Sequence, residues 1–155
     1  MDIYIGADHR GYQRKEFIKE LLVESHESFG GIVVHDMGSF QYDEHDDFND
    51  AAINVARAVR EDPEARGILI CGSGDGMCIQ ANRFKRVRAA RCGNVNEARV
   101  AREHDDINVL CLAADELDDE LTEQIIATFL KTAFDTSNEA RMRRINRLDE
   151  GEDYD

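Results

Sequence analysis

Apolar positions along this chain alternate between two periods. Brief, nearly continuous apolar runs at Ile3-Tyr4-Ile5, Ile32-Val33-Val34, Ile68-Leu69-Ile70, Val87 to Ala90 and Ile107 to Leu112 predict five strands, over 2–7, 32–35, 67–71, 87–90 and 107–112. Between them the period lengthens to that of a helix. Phe17, Ile18, Leu21 and Leu22 share one face of 15–23, and Ala52, Val55, Ala56 and Val59 share one face of a segment that Asn49 or Asp50 can cap and Pro63 ends. Further helices are predicted from the glycines after Cys71 to about Arg83, from a cap at Asn94 through Ala101, over 117–134 on Leu121, Ile125, Ile126 and Phe129, and over 141–148. Residues 37–47 are polar, rich in Asp and His, and read as a loop.

Strands that alternate with helices imply an α/β fold: one three-layer, Rossmann-like domain over 1–148, with a five-stranded parallel sheet and helices on both faces. An acidic tail, 149–155, is expected to fray. In such sheets ligands sit beyond the carboxyl ends of the strands, where the strand order switches. Asp8 and His9 after the first strand, and Cys71 to Gly76 after the third, fall at those ends.

Composition narrows the function. The 155 residues carry a formal charge of −14, which argues against nucleic acid and anionic membrane surfaces as partners. No leader pattern opens the chain and no apolar run reaches spanning length, so a cytoplasmic protein is expected. Cys71, Cys78, Cys92 and Cys111 show no C-x-x-C pairing and read as reduced thiols. His35, His45, Asp46 and Asp47 lack ligand spacing, so no metal is expected.

The densest chemistry lies in Cys71-Gly72-Ser73-Gly74-Asp75-Gly76. The alternating glycines fit neither the dinucleotide fingerprint nor a P-loop. They do let the backbone approach a ligand, and N–H groups ahead of a helix favour negative charge. Cys71 closes the strand at the lip of that concavity and Ser73 adds a hydroxyl. A thiol facing such donors can have its pKa lowered into a useful range for moving a proton next to a carbonyl. Asp75 would oppose a thiolate unless its side chain points to solvent.

Gly6-Ala7-Asp8-His9-Arg10-Gly11-Tyr12, Cys71-Gly72-Ser73-Gly74-Asp75-Gly76, Ala81-Asn82-Arg83 and Arg102-Glu103-His104, in this order, resemble the type B ribose-5-phosphate isomerases and the related galactose-6-phosphate isomerases. The similarity runs from Ile3 to about Leu148. It implies a cofactor-free exchange of aldose and ketose through an enediolate, on a sugar or sugar phosphate. Cys71 matches the proton-moving base, and Met77 stands where other members carry a Glu base. Ser73 and the N–H groups of Gly72, Gly74, Asp75 and Gly76 match the holders of the enediolate oxygen. Asp8 and His104 match ring-opening residues, while His9 and Asn82 match substrate contacts. The resemblance also implies a homodimer, or a tetramer built from it, with the last helix reaching a partner's site.

The recognition shell departs from that pattern. Asp115 stands where an arginine is implied after the fifth strand, and Ala140 replaces one of a pair on the last helix, leaving Arg144 with Arg141 beside it. Arg141 and Arg144, spaced i,i+3, could still clamp a phosphate. A sugar-phosphate isomerase, an isomerase of a different or unphosphorylated sugar, and a non-catalytic sugar-binding or regulatory module are the readings that follow.

Overall fold

A computed structural model describes residues 1–151. Five strands, β1 (Asp2–Ala7), β2 (Val33–Asp36), β3 (Arg66–Cys71), β4 (Ala89–Arg91) and β5 (Val109–Ala113), form one parallel sheet in the order β2-β1-β3-β5-β4. Six α-helices connect or follow them: α1 (Tyr12–Glu24), α2 (Phe48–Glu61), α3 (Asp75–Ala81), α4 (Val95–Asp105), α5 (Asp119–Lys131) and α6 (Glu139–Glu150). The expected α/β architecture is present, with two core layers on opposite faces of the sheet.

Alternation along the strands sorts the core. Ile3, Ile5, Ile68, Ile70, Leu110 and Leu112 face Ile18 and Leu22 of α1 and Ile125, Ile126 and Phe129 of α5. Leu69, Cys71, Val109 and Cys111 face Ala52, Val55, Ala56 and Val59 of α2 with Met77 and Ala81 of α3. Each large side chain so buried contributes about 1.5–3 kcal/mol, more than intrinsic helix propensity supplies per residue, so tertiary packing holds these helices. Cys71 therefore points to the α2–α3 side of the sheet.

Element ends differ from expectation where side chains cap them. Asp47, rather than Asn49 or Asp50, caps α2 by accepting the Asn49 N–H. Asp118 caps α5 through the Leu121 N–H, so the helix starts later than Leu117, and it stops at Lys131 rather than Phe134. A short 3-10 turn at His26–Phe29 was not signalled by periodicity. The last helix runs through Glu150, so Asp149 and Glu150, expected in the tail, are helical; the tail residues 152–155 lie outside the described residues. No helix among the described residues is long and apolar enough to cross a membrane.

The strand order reverses between β1 and β3. The first chain excursion from β1 goes outward to β2, and the next returns to β3 on the other side. Loops leaving β1 and β3 diverge there and open a crevice at the carboxyl edge.

Candidate active site

β3 ends at Cys71, and the chain turns through Gly72, Ser73 and Gly74 into α3. Gly74 holds φ at +80°, and a side chain there would also meet the Leu112 backbone, so glycine alone suits the position. That turn folds the Gly74 N–H back onto Cys71, where it donates to Sγ at 3.1 Å. The N–H groups of Met77 and Ser73 also face the sulfur. Burial pushes the Cys71 thiol up, and these three donors, which pull it down, do not fully offset that; the Asp8 charge adds to the upward push. The expected lowering is therefore corrected: desolvation at the end of a buried strand outweighs the backbone donors.

Asp8 lies across the crevice, after β1. Its carboxyl is buried and accepts the Gly11 N–H at 3.0 Å. Burial raises its pKa, with the Asp46 charge acting the same way and the Gly11 N–H and His9 acting against it. A carboxyl raised in this way holds a proton more readily than a free one.

His9 is aimed by a residue that the strand pattern does not single out. Asp46 Oδ1 accepts the His9 backbone N–H at 3.0 Å and pairs with His9 Nδ1 at 2.7 Å. The Ser39 hydroxyl donates to the other Asp46 oxygen at 2.6 Å. Burial would raise the Asp46 pKa, but the hydrogen bonds from Ser39 and His9 hold it below the usual carboxylate range. Beneath this loop Lys15, fully buried, donates to both Asp36 oxygens at 2.7 and 2.9 Å and to the Ser39 carbonyl. Lys15, Asp36, Ser39, Asp46 and His9 thus form one polar chain from α1 to the crevice.

Two guanidinium groups flank the glycine turn. Arg10 lies against Gly72 and pairs with Asp115, the residue standing where the resemblance implies arginine. Arg91, at the end of β4, donates to the Ser73 carbonyl at 2.7 Å and pairs with Glu116. The Asp75 side chain is mostly exposed and faces Arg91 Nε at 3.6 Å, so its opposition to negative charge at Cys71 is screened. Ser73 is exposed, and its hydroxyl accepts the Asp75 N–H at 3.3 Å. Cys71, Ser73, Asp8, His9, Gly72, Gly74, Asp75 and Gly76 therefore share one rim.

The remaining predicted site residues lie elsewhere. α4 descends from the carboxyl edge of β4, so His104 sits near the amino end of β5, a strand length of roughly 15 Å from Cys71 within one chain. Asn82 closes α3 at that same lower end; its side chain donates to the Ala89 carbonyl at 2.9 Å and accepts the Ala89 N–H at 2.8 Å, bracing edge strand β4. Arg141 pairs with Asp135, and α6, which carries Arg141 and Arg144, is tied to the amino end of β4 by the pair of Asp149 with Arg88. Among the described residues no group of three His, Cys, Asp or Glu side chains is placed to hold a metal ion.

A parallel α/β sheet with a thiol, a raised carboxyl and N–H donors at its switch point has the groups an enzyme needs to shift a proton beside a carbonyl. Comparison with known proteins fixes the class: residues 3–148 match the Ribose/Galactose Isomerase family, and the chain belongs to it. It is an isomerase of the intramolecular oxidoreductase type. It is 38% identical over 133 residues to a probable ribose-5-phosphate isomerase B of Mycoplasma pneumoniae, covering 86% of this chain and 84% of that one. It is 33% identical over 140 residues to a D-erythrulose-4-phosphate isomerase of Pectobacterium atrosepticum, covering 90% and 89%. Among solved structures, ribose-5-phosphate isomerase B of Mycoplasma genitalium with bound ribulose-5-phosphate superposes with a TM-score of 0.86 at 36% identity, covering 96% of this chain and 94% of that one. The Thermotoga maritima ribose 5-phosphate isomerase gives 0.87 at 37% identity, covering 97% and 98%.

Proposed function

We propose that the chain interconverts an aldose phosphate and its ketose, ribose 5-phosphate and ribulose 5-phosphate being the first pair to test, through an enediolate with Cys71 as base. The observation that carries this reading is the contact of Cys71 Sγ with the Gly74 N–H inside the glycine turn. A thiolate there takes the proton from the carbon next to the carbonyl, and the electron pair moves onto the carbonyl oxygen. Ser73 and the turn N–H groups meet that oxyanion; one such donor is worth about 3 kcal/mol of barrier. The protonated Cys71 then returns its proton to the former carbonyl carbon while the hydroxyl proton on the second carbon's oxygen passes to the first oxygen, which leaves the ketose carbonyl, so the reaction balances without a cofactor. Asp8, raised by burial, exchanges the proton that opens the sugar ring.

His104, Arg141 and Arg144 enter this reading from a second copy. Their distance from the rim in one chain, and the exposed Phe40, Tyr42, Phe48 and Ile79, support a site shared across a homodimer. The imidazole of a second copy completes ring opening, and its Arg141 and Arg144 meet the phosphate.

A second reading, an isomerase of a different or unphosphorylated sugar, is favoured by Asp115 at the rim, whose charge repels a phosphate. One experiment decides. The protein is incubated with ribose 5-phosphate, other sugar phosphates and the free sugars in deuterated water. Label at C2 with phosphates alone supports the first reading, and label with free sugars supports the second. Saturable binding without label leaves a sugar-binding module and rejects catalysis.

A further inference from the structure

The rim of this site holds three arginines, and their hydrogen bonds distinguish them. Arg14 gives one nitrogen to Asp119 and another to the Leu117 carbonyl. Arg91 gives Nε to the Ser73 carbonyl and Nη2 to Glu116. Arg10 gives only Nη2, to Asp115, and among the described residues Nε and Nη1 have no protein partner. Its side chain is 57% exposed, so those donors are open to a ligand.

Arg10 also lies against the residue that follows Cys71. A methyl group on Gly72 would lie 2.7 Å from its Nε and 2.8 Å from its central carbon, so the guanidinium rests directly on the turn that follows Cys71. On its other side Arg10 walls a polar depression of about 310 Å³ with Gln13, Arg14, Phe17, Ala114 and Asp119, near the lower limit for a small-molecule pocket. A molecule with one end at Cys71 and an anionic end a few carbons away would pass under this guanidinium.

The geometry points to Arg10 as a further side chain that grips the substrate's phosphate, from the same chain as the thiol. The identity of the anion rests on the isomerase reading above, whereas the grip itself stands on the contacts just given. Asp115 holds one edge of the planar fork, so less rotamer freedom is lost when the other edge binds. The Asp115 carboxylate does repel the same anion, but it sits on the Nη2 side of the guanidinium, and an anion met by Nε or Nη1 has the guanidinium as its nearer charge. In a chain of net charge −14 this local cation also offsets the general repulsion of an anionic substrate.

The test titrates the full-length protein with inorganic phosphate by calorimetry and measures KM for each sugar phosphate that is turned over. Arg10→Ala is expected to weaken phosphate binding at least tenfold and to raise KM more than it lowers kcat. The double variant Arg10→Ala with Asp115→Arg, which supplies the guanidinium from the opposite side, is expected to recover most of the loss. Phosphate affinity unchanged in Arg10→Ala overturns the proposal. Should that variant fail to melt cooperatively, Arg10→Lys replaces it: a several-fold loss supports the fork, and no loss overturns it. The two readings fail separately. Phosphate binding that depends on Arg10 in a protein that turns over no sugar phosphate removes the isomerase reading alone, and turnover whose KM ignores Arg10→Ala removes the grip alone.

Discussion

Gly74 donates its backbone N–H to the sulfur of Cys71, the residue three positions before it and at the opposite end of the same turn. The bond ties the sulfur-bearing strand end to the start of α3, so the groups that would share one negative charge are fixed relative to each other before any ligand arrives. Preorganisation of this kind lowers a barrier because nothing has to reorient as charge develops.

Replacing that sulfur is the direct check. Cys71→Ala is expected to lower solvent-hydrogen exchange at C2 by about 10²–10⁴-fold, the range for a lost general base, while ligand binding stays within a few-fold. Exchange measured by NMR in deuterated water, beside a binding titration, reads both. Exchange at the parental rate would reject Cys71 as the base.

The pH profile follows from the direction of the Cys71 shift. Burial raises this thiol, so at neutral pH the thiolate is the minor form, and kcat/KM is expected to climb with pH through and beyond the ordinary thiol range near about 8.5. A profile that is flat between pH 7 and 9 would contradict it. Stability moves the other way. A thiol with a raised folded pKa contributes stability that is fully present below its unfolded value and is lost as pH rises through the folded one. Cys71 and Cys92, the latter pushed up to about 12 by burial, therefore weaken the fold progressively in alkali. Denaturation midpoints at pH 8 and pH 10 check the sign, with a lower midpoint expected at pH 10.

The buried ammonium of Lys15 supports the loop that aims His9, and its removal has a calculable consequence. Breaking a buried ion pair by removing one partner typically costs about 3–5 kcal/mol. Lys15→Met should fall at the lower end, about 3 kcal/mol, because Lys19 Nζ still reaches Asp36 at 2.6 Å. Asp36 itself would be raised by burial, but the hydrogen bonds from Lys15 and Lys19 hold its carboxyl below the usual range. Urea denaturation measures the loss. A change under 1 kcal/mol would mean that Lys15 does not brace the loop.

The sheet and most helices were legible because their cores repeat at fixed periods: Ile68 and Ile70 face one side while Leu69 and Cys71 face the other, and Ile125, Ile126 and Phe129 recur on one turn-spaced stripe. The glycine turn was legible because Gly74 needs a conformation that other residues resist. Asp46 and Arg10 carry no such mark. The partner of Asp46 is 37 positions away and that of Arg10 is 105 away, and a contact made across the fold has no period along the chain. Asn82 illustrates the reverse. Its motif suggests ligand contact, and in the fold both ends of its amide meet Ala89 of an edge strand that has no neighbour beyond it among the described residues.

The placement of His104 gives the sharpest test of a shared site. It lies near the amino end of β5, whereas Cys71 closes β3 at the carboxyl edge, so within one chain the two stand at opposite ends of the sheet. If each site takes its thiol from one copy and its imidazole from another, Cys71→Ala and His104→Ala homodimers are both inactive, but for different reasons. Mixed in equal amounts and allowed to exchange subunits, half of the dimers become heterodimers. Each heterodimer has one site with both lesions and one with neither, so the mixture should recover about a quarter of parental activity. The time course should follow subunit exchange measured independently, for example by energy transfer between labelled copies. Exchange without recovery would show that His104 does not complete a neighbour's site, and the ring-opening role would have to pass to groups already at the rim, with Asp8 and the His9–Asp46 pair first among them.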